Sequence, residues 1–191
     1  LKKFKIINKK ILIIHTDRGY LNAYPKKYLK LLKFSCDKFN GIITTTDNNL
    51  RNWIEFSKKC KCTCIYNVLN PTWYNLKEPT HYNSNILKIC FCGRFEAYKR
   101  WDNVKKIISK FKQNNKVSFI IILADNNDGT TKEMKQYIKE VQSIDNSIVI
   151  YNNLSEEKVK TLFLESDIFI LTSENESFGR TIIEAMLTYN I

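Results

Sequence analysis

From residue 86 onward, short apolar runs alternate with longer stretches whose apolar residues recur every three or four positions, and this constrains the fold more than any other feature. The runs 86–92, 117–123, 147–151 and 168–171 are apolar on consecutive positions. A strand wetted on one face alternates, whereas a run that is apolar throughout suits a strand buried on both faces, as in a parallel sheet flanked by helices. Between the runs, Trp101, Val104, Ile107, Ile108 and Phe111 form one stripe, Met134, Tyr137, Ile138 and Val141 a second, and Val159, Leu162 and Phe163 a third. Each stripe has the spacing that gathers apolar side chains on one helix face. Ser155 followed by Glu156 and Glu157 predicts the start of the third helix, with the hydroxyl capping free amides and the acids meeting the positive dipole end. The repeated strand-helix alternation predicts a doubly wound α/β half.

The first part repeats this theme more weakly, with strands expected near 11–14, 41–45 and 62–66 and helices over 24–39 and 47–56. Residues 71–85 contain Pro71, Pro79 and several turn-forming polar residues without a period, which predicts a linker. The expected division is therefore 1–70, a linker over 71–85, and 86–191. The chain begins at Leu1 and stops at Ile191 just after a helix, where an α/β unit would feed another strand. It reads as a fragment with both halves incomplete, the second lacking its last strand.

Charge is divided unevenly. Residues 1–40 carry 11 Lys and Arg against 2 Asp and Glu, residues 41–85 carry 5 against 3, and residues 86–191 carry 15 against 14. A basic first module suits an anionic partner such as lipid headgroups, phosphate-bearing acceptors or nucleic acid, and equally suits a solvated lysine-rich surface. No apolar run reaches the roughly 18 residues of a membrane span, and the lysine-rich start lacks a signal-peptide cleavage site. Cys36, Cys60, Cys62, Cys64, Cys90 and Cys92 fall mostly in strand-like runs, and Cys-x-Cys is not a common zinc spacing. Free thiols in a reducing, cytoplasmic setting are expected. Trp53, Trp73 and Trp101 are expected to pack in the core or linker.

In open parallel sheets, ligands bind beyond the carboxyl ends of the strands. The first run of the second half leads into Gly93-Arg94-Phe95-Glu96-Ala97-Tyr98-Lys99, a glycine turn with two cations five positions apart. The fourth leads into Ser173-Glu174-Asn175-Glu176-Ser177-Phe178-Gly179-Arg180 and then an expected helix from Thr181 through Glu184 to Leu187. When a sugar leaves a diphosphate, negative charge grows on the departing oxygens. Fixed cations and free helix amides around Phe178 and Gly179 can meet that charge without a metal.

These residues resemble the donor site of family 4 glycosyltransferases of GT-B fold: Gly93-Arg94 with Lys99, Ser173, and Glu176-x7-Glu184 enclosing Phe178-Gly179. The resemblance implies two Rossmann-like halves and a retaining transfer from a nucleotide-diphosphate sugar. It implies no bound metal or cofactor, with a UDP- or GDP-sugar as co-substrate. Arg94 and Lys99 would neutralise the diphosphate, Glu176 would contact donor-sugar hydroxyls, and Glu184 would hold the ribose, since a carboxylate can accept from two vicinal hydroxyls. Ile11-Leu12-Ile13-Ile14-His15-Thr16 resembles the strand that delivers a histidine to the acceptor side, making His15 a further catalytic candidate. The implied acceptor is a saccharide or lipid-linked sugar in surface polysaccharide or glycolipid synthesis, and Lys2 to Lys10 could meet an anionic membrane at the inner face of the cell.

The sequence departs from the family pattern at Ala124-Asp125-Asn126, where a Gly-x-Gly turn is common, and at Asn152-Asn153, where a glycine often follows the third strand. Plainer readings stand beside the functional ones. Ser173-x-x-Glu176 and Thr181-x-x-Glu184 both match a helix capping box, Arg94 and Lys99 could be surface charges, and His15 could be merely hydrogen-bonded. Two other functions fit the composition: a nonenzymatic basic module that holds an anionic polymer, although no nucleic-acid motif is present and no nucleic-acid partner is expected, and a GT-B phosphorylase or epimerase.

Overall fold

A computed structural model describes residues 12–74, 76, 85–125 and 131–190. The Lys2 to Lys10 run, Ile11, most of the expected linker, Asn126 and Ile191 lie outside the described residues. The chain divides into two compact units, one formed by Leu1–Val68 with Glu176–Phe178 and the other by Leu69–Asn175 with Gly179–Ile191.

The first unit runs β1 (Ile14–Asp17), α1 (Lys26–Cys36), β2 (Gly41–Thr44), α2 (Asp47–Ser57) and β3 (Cys62–Cys64). Its strands are parallel in the order β1-β2-β3, with His15 opposite Ile42 and Ile42 opposite Cys62. β1 begins three residues later than the end-on pattern of 11–14 suggests. What holds it there is Asp17, whose carboxylate is 2% exposed. It accepts from Tyr24 Oη at 2.6 Å, Trp53 Nε1 at 2.6 Å, Asn49 Nδ2 at 3.0 Å and the Gly19 amide at 3.0 Å. Burial raises the Asp17 carboxyl, but the hydrogen bonds from Tyr24, Trp53, Asn49 and Gly19 outweigh it and leave the group below its ordinary value. Trp53, Ile42 and Leu21 form the core, with Leu29 and Leu32 of α1 packed against it. Thr46 caps α2 through the Asn49 amide, and the helix closes at Lys58 in the left-handed conformation, φ 54°.

The second unit runs β4 (Leu87–Arg94), α3 (Trp101–Phe111), β5 (Val117–Ala124), α4 (Lys132–Ile144), β6 (Val149–Asn152), α5 (Glu156–Leu164), β7 (Ile168–Phe169) and α6 (Arg180–Leu187). All strands are parallel, ordered β6-β5-β4-β7. The consecutive apolar residues divide by parity. Phe119, Ile121 and Leu123 join Ile89 and Phe91 in one core with Trp101, Val104 and Ile108 of α3 and Met134, Tyr137 and Val141 of α4. Ile120, Ile122 and Cys90 join the opposite core with Leu162 and Phe163 of α5 and Ala185 of α6. Burying each large apolar side chain contributes about 1.5–3 kcal/mol, and residues directed alternately to two cores explain why these runs are apolar on successive positions past Lys88, Ser118 and Ser147 near their starts.

Leu69 and Trp73, from the edge of the expected linker, also lie in the second core. Asn70 caps a short 3-10 turn, Pro71–Trp73, through the Thr72 amide. Trp73 Nε1 donates to Glu156 at 2.7 Å. Ser155 occupies the N-cap of α5 as expected, but its hydroxyl makes no capping bond.

Candidate active site

The strand order decides where the second unit can bind a ligand. In chain order within this unit, β6-β5-β4-β7 is third, second, first, fourth, so the connections reverse direction between β4 and β7. Loops leaving the carboxyl ends of those two strands diverge to opposite faces and open a crevice between them. Arg94 is the last residue of β4, Lys99 closes the 3-10 turn Ala97–Lys99 that follows, and Ser173 and Glu184 come after β7. The two stretches selected from sequence thus leave neighbouring strands. They are also tied together: the Glu174 amide donates to the Tyr98 carbonyl at 2.8 Å, and Thr172 Oγ1 to the Lys99 carbonyl at 2.7 Å.

The cations differ in setting. Arg94 is half exposed, with Nη1 3.1 Å from Glu96 Oε1 and Nη2 donating to Tyr98 Oη at 3.1 Å. Lys99 is buried to 9% exposure. Its methylenes lie 3.7 Å from the place a Cβ on Gly93 would occupy, and its ammonium stands 5.4 Å from the centre of the Tyr98 ring. Glu184 on α6 is 7% exposed and pairs with Arg180 at 3.3 Å. Burial raises the Glu184 carboxyl above its ordinary value, against the lowering influence of Arg180. Cys92, within β4, has its thiol pushed well above its usual range first by burial, then by Cys90 and Glu184, with Lys99 acting in the opposite sense.

The capping-box alternatives do not form. α6 starts at Arg180 with Gly179 as N-cap, so Thr181 lies inside the helix, and no helix starts between Ser173 and Glu176. Ser173 Oγ is buried without a hydrogen-bond partner. Gly179 has φ 73°, where a Cβ would stand 3.1 Å from Ile182, so a side chain here would be strained both in backbone and in space. The start of α6 thus has an open backbone with free amides, which favours an anion.

Glu176 and Phe178 group with the first unit, where the Phe178 ring lies 6.3 Å from that of Tyr66. His15 also belongs to that unit, and it sits within β1 rather than at its end. Its ring stacks on Phe39 at 5.1 Å and tilts against Trp53 at 5.2 Å, with Nε2 buried and unpartnered. The strand terminus belongs to Asp17.

One role and one conformation escaped the sequence reading. Tyr98 touches both cations, and nothing in its neighbourhood of the sequence signals this. Asn153, where a glycine often stands in the family, itself adopts φ 51°, and its Oδ1 accepts from the Asp125 amide at 2.8 Å. Asparagine is the side chain that best tolerates that conformation, so the turn keeps a glycine-like backbone without glycine. Among the described residues no group of three or more His, Cys, Asp or Glu could hold a metal ion, all six cysteines are free thiols, and no helix is long and apolar enough to cross a membrane.

Solved structures share this fold. TarM of S. aureus, crystallised with UDP, fondaparinux and α-GlcNAc-glycerol, superposes with TM-score 0.75 and 17% identity over 99% of this chain and 38% of its own. Anabaena HepE, crystallised with UDP and glucose, gives TM-score 0.73 at 16% identity over 94% of this chain and 51% of its own. Sucrose-phosphate synthase from Thermosynechococcus elongatus gives 0.73 at 16% identity over 97% and 50%. The chain thus spans about 38 to 51% of the length of these proteins, and its fold is of the GT-B type with small, incomplete halves. No curated protein matches it in sequence. The family model for glycosyl transferases group 1 matches residues 75–188, more than half of the chain, and this chain belongs to that family.

Proposed function

We propose that the protein is a retaining glycosyltransferase moving a sugar from a nucleoside-diphosphate sugar to a saccharide or lipid-linked acceptor, and that the second unit carries its donor half-site. The observation that carries this reading is that Arg94 and Lys99 follow β4 and buried Glu184 follows β7, the two strands between which the order reverses, with the segments after them joined by the Glu174–Tyr98 and Thr172–Lys99 hydrogen bonds. In the reaction the bond between the anomeric carbon and the diphosphate oxygen breaks with its electron pair left on the diphosphate, an acceptor hydroxyl oxygen bonds the anomeric carbon on the same face, and the hydroxyl proton passes to the departing diphosphate. Arg94, Lys99 and the amides at the start of α6 stabilise that growing charge, while Glu184 accepts from the ribose hydroxyls. Ser173, with its buried unpartnered hydroxyl, contributes a polar contact to the donor. Glu176 contacts the sugar hydroxyls and His15 serves the acceptor side, roles that rest on the family resemblance. The co-substrate is a UDP- or GDP-sugar, consistent with the UDP found in TarM and HepE.

The proposed setting is surface polysaccharide or glycolipid synthesis in the cytoplasm, with peripheral contact at an anionic membrane. Helix α1 supports this contact: it carries Lys26, Lys27, Lys30 and Lys33 without an acid, and Tyr28, Leu31 and Phe34 on it are exposed. Co-sedimentation with vesicles containing anionic phosphatidylglycerol, and none with pure phosphatidylcholine, is expected; indifference to both would remove the membrane from the proposal.

The test of the donor site is calorimetric titration with UDP, GDP and ADP, followed by release of the same nucleotides from labelled sugar donors. Arg94→Ala and Glu184→Ala should each weaken binding of the preferred diphosphate about ten- to a hundredfold. Binding unaffected by both substitutions would refute the assignment, and product analysis showing phosphorolysis or epimerisation in place of transfer would refute the reaction.

A further inference from the structure

We infer that Tyr98 is a positioning residue that presets both cations of the donor site and acts on the diphosphate only through them. This rests on the proposal that Arg94 and Lys99 bind a nucleoside diphosphate. Tyr98 meets the two cations with different parts of one side chain. Its hydroxyl accepts from Arg94 Nη2 at 3.1 Å, and its ring lies 5.4 Å from the Lys99 ammonium, within the roughly 6 Å reach of a cation–π contact.

The need for such a device follows from exposure. Arg94 has a side chain 54% exposed, and a free arginine there carries about 2 kcal/mol of rotamer entropy to lose on binding. A planar guanidinium held on two different nitrogens, Nη2 by Tyr98 and Nη1 by Glu96, has its plane and remaining N–H directions set beforehand. The cost of ordering is then met on folding rather than at each binding event. Tyr98 is itself anchored, since its carbonyl accepts from the Glu174 amide at 2.8 Å. The clamp on β4's loop is thereby registered to the segment after β7.

A double-mutant cycle tests this, with UDP or GDP as probe, whichever the unaltered chain binds, and the corresponding monophosphate as control. Tyr98→Phe keeps the ring and removes the hydroxyl. It should weaken diphosphate binding about three- to tenfold, the range expected when one long side chain loses its preorganisation, and weaken the monophosphate less. In the Arg94→Ala background the same substitution should cost nothing further. Tyr98→Leu removes the ring as well, and part of its loss should persist in Arg94→Ala and disappear when Lys99→Ala is added. Equal losses from Tyr98→Phe with and without Arg94, or none in either, would overturn the inference while leaving the donor site standing. Failure of the unaltered chain to bind any nucleoside diphosphate would overturn the donor-site reading and this inference with it.

Discussion

Glu184→Gln separates function from stability with opposite signs. The carboxylate is 7% exposed and its pKa is raised by burial above the ordinary 4.5. Its Arg180 partner is half exposed at 51%, so the i,i+4 pair is worth only about 0.3–0.5 kcal/mol. An acid whose folded pKa is raised stabilises the fold when protonated; that contribution is full below pH 4.5 and is lost as pH rises through the raised value. At neutral pH the fold therefore holds a charge it would rather neutralise, and glutamine should leave stability unchanged or raise it by up to about 1 kcal/mol. Binding should move the other way. On the proposed ribose role, replacing the carboxylate removes a charge-assisted contact worth about 1.5–3 kcal/mol, or about ten- to a hundredfold in diphosphate affinity. Urea denaturation between pH 4 and 8, paired with calorimetry, reads both quantities. A loss of stability beyond about 1 kcal/mol at neutral pH, with nucleotide affinity intact, would show that Glu184 serves the fold, and the ribose role would fall.

Asp17 has its pKa lowered below 3.8, so its contribution is present above that value and lost as pH falls through the lowered one; Asp17→Ala, which strands the Trp53, Asn49 and Tyr24 donors, should cost about 3–5 kcal/mol in a urea melt at pH 7, and less as pH falls through the lowered value. Trp73→Ala should destabilise the second unit by about 3–5 kcal/mol, as its ring is 1% exposed; a Tm unchanged within error would place that ring outside the core. Lys58→Gly should stabilise α2 by about 0.5–1 kcal/mol by relieving the left-handed backbone at its C-cap, detectable as a raised urea midpoint, whereas a lowered one would refute the strain argument.

Much of the second unit was legible in sequence because the signal is local. Each strand there is packed on both faces, so the apolar run is continuous, and each helix has one wet face, so its stripe is periodic. The four expected strands and three striped helices all occur, with ends displaced by a residue or two. The same logic weakens in the first unit, where β1 is set by what its end residue bonds. Asp17 draws on Tyr24, Asn49 and Trp53, as many as 36 residues away, and no window around 11–14 records that. Capping signals misled for a similar reason: Ser155 stands at an N-cap without capping, and the Ser173 and Thr181 boxes vanish because Gly179 starts α6.

What the sequence determined by itself was chemistry without place: two cations, two acids, a glycine and a helix start in the right order. The tertiary structure decided their neighbourhood. Strand order is a property of long-range pairing, invisible to periodicity, and it is the pairing of β4 with β7 that sets the segment carrying Arg94 and Lys99 beside the one that leads to Glu184. It also sets the Tyr98 ring under Lys99 and its hydroxyl against Arg94, because a side chain's contacts depend on the turn that carries it and on the strand beside it.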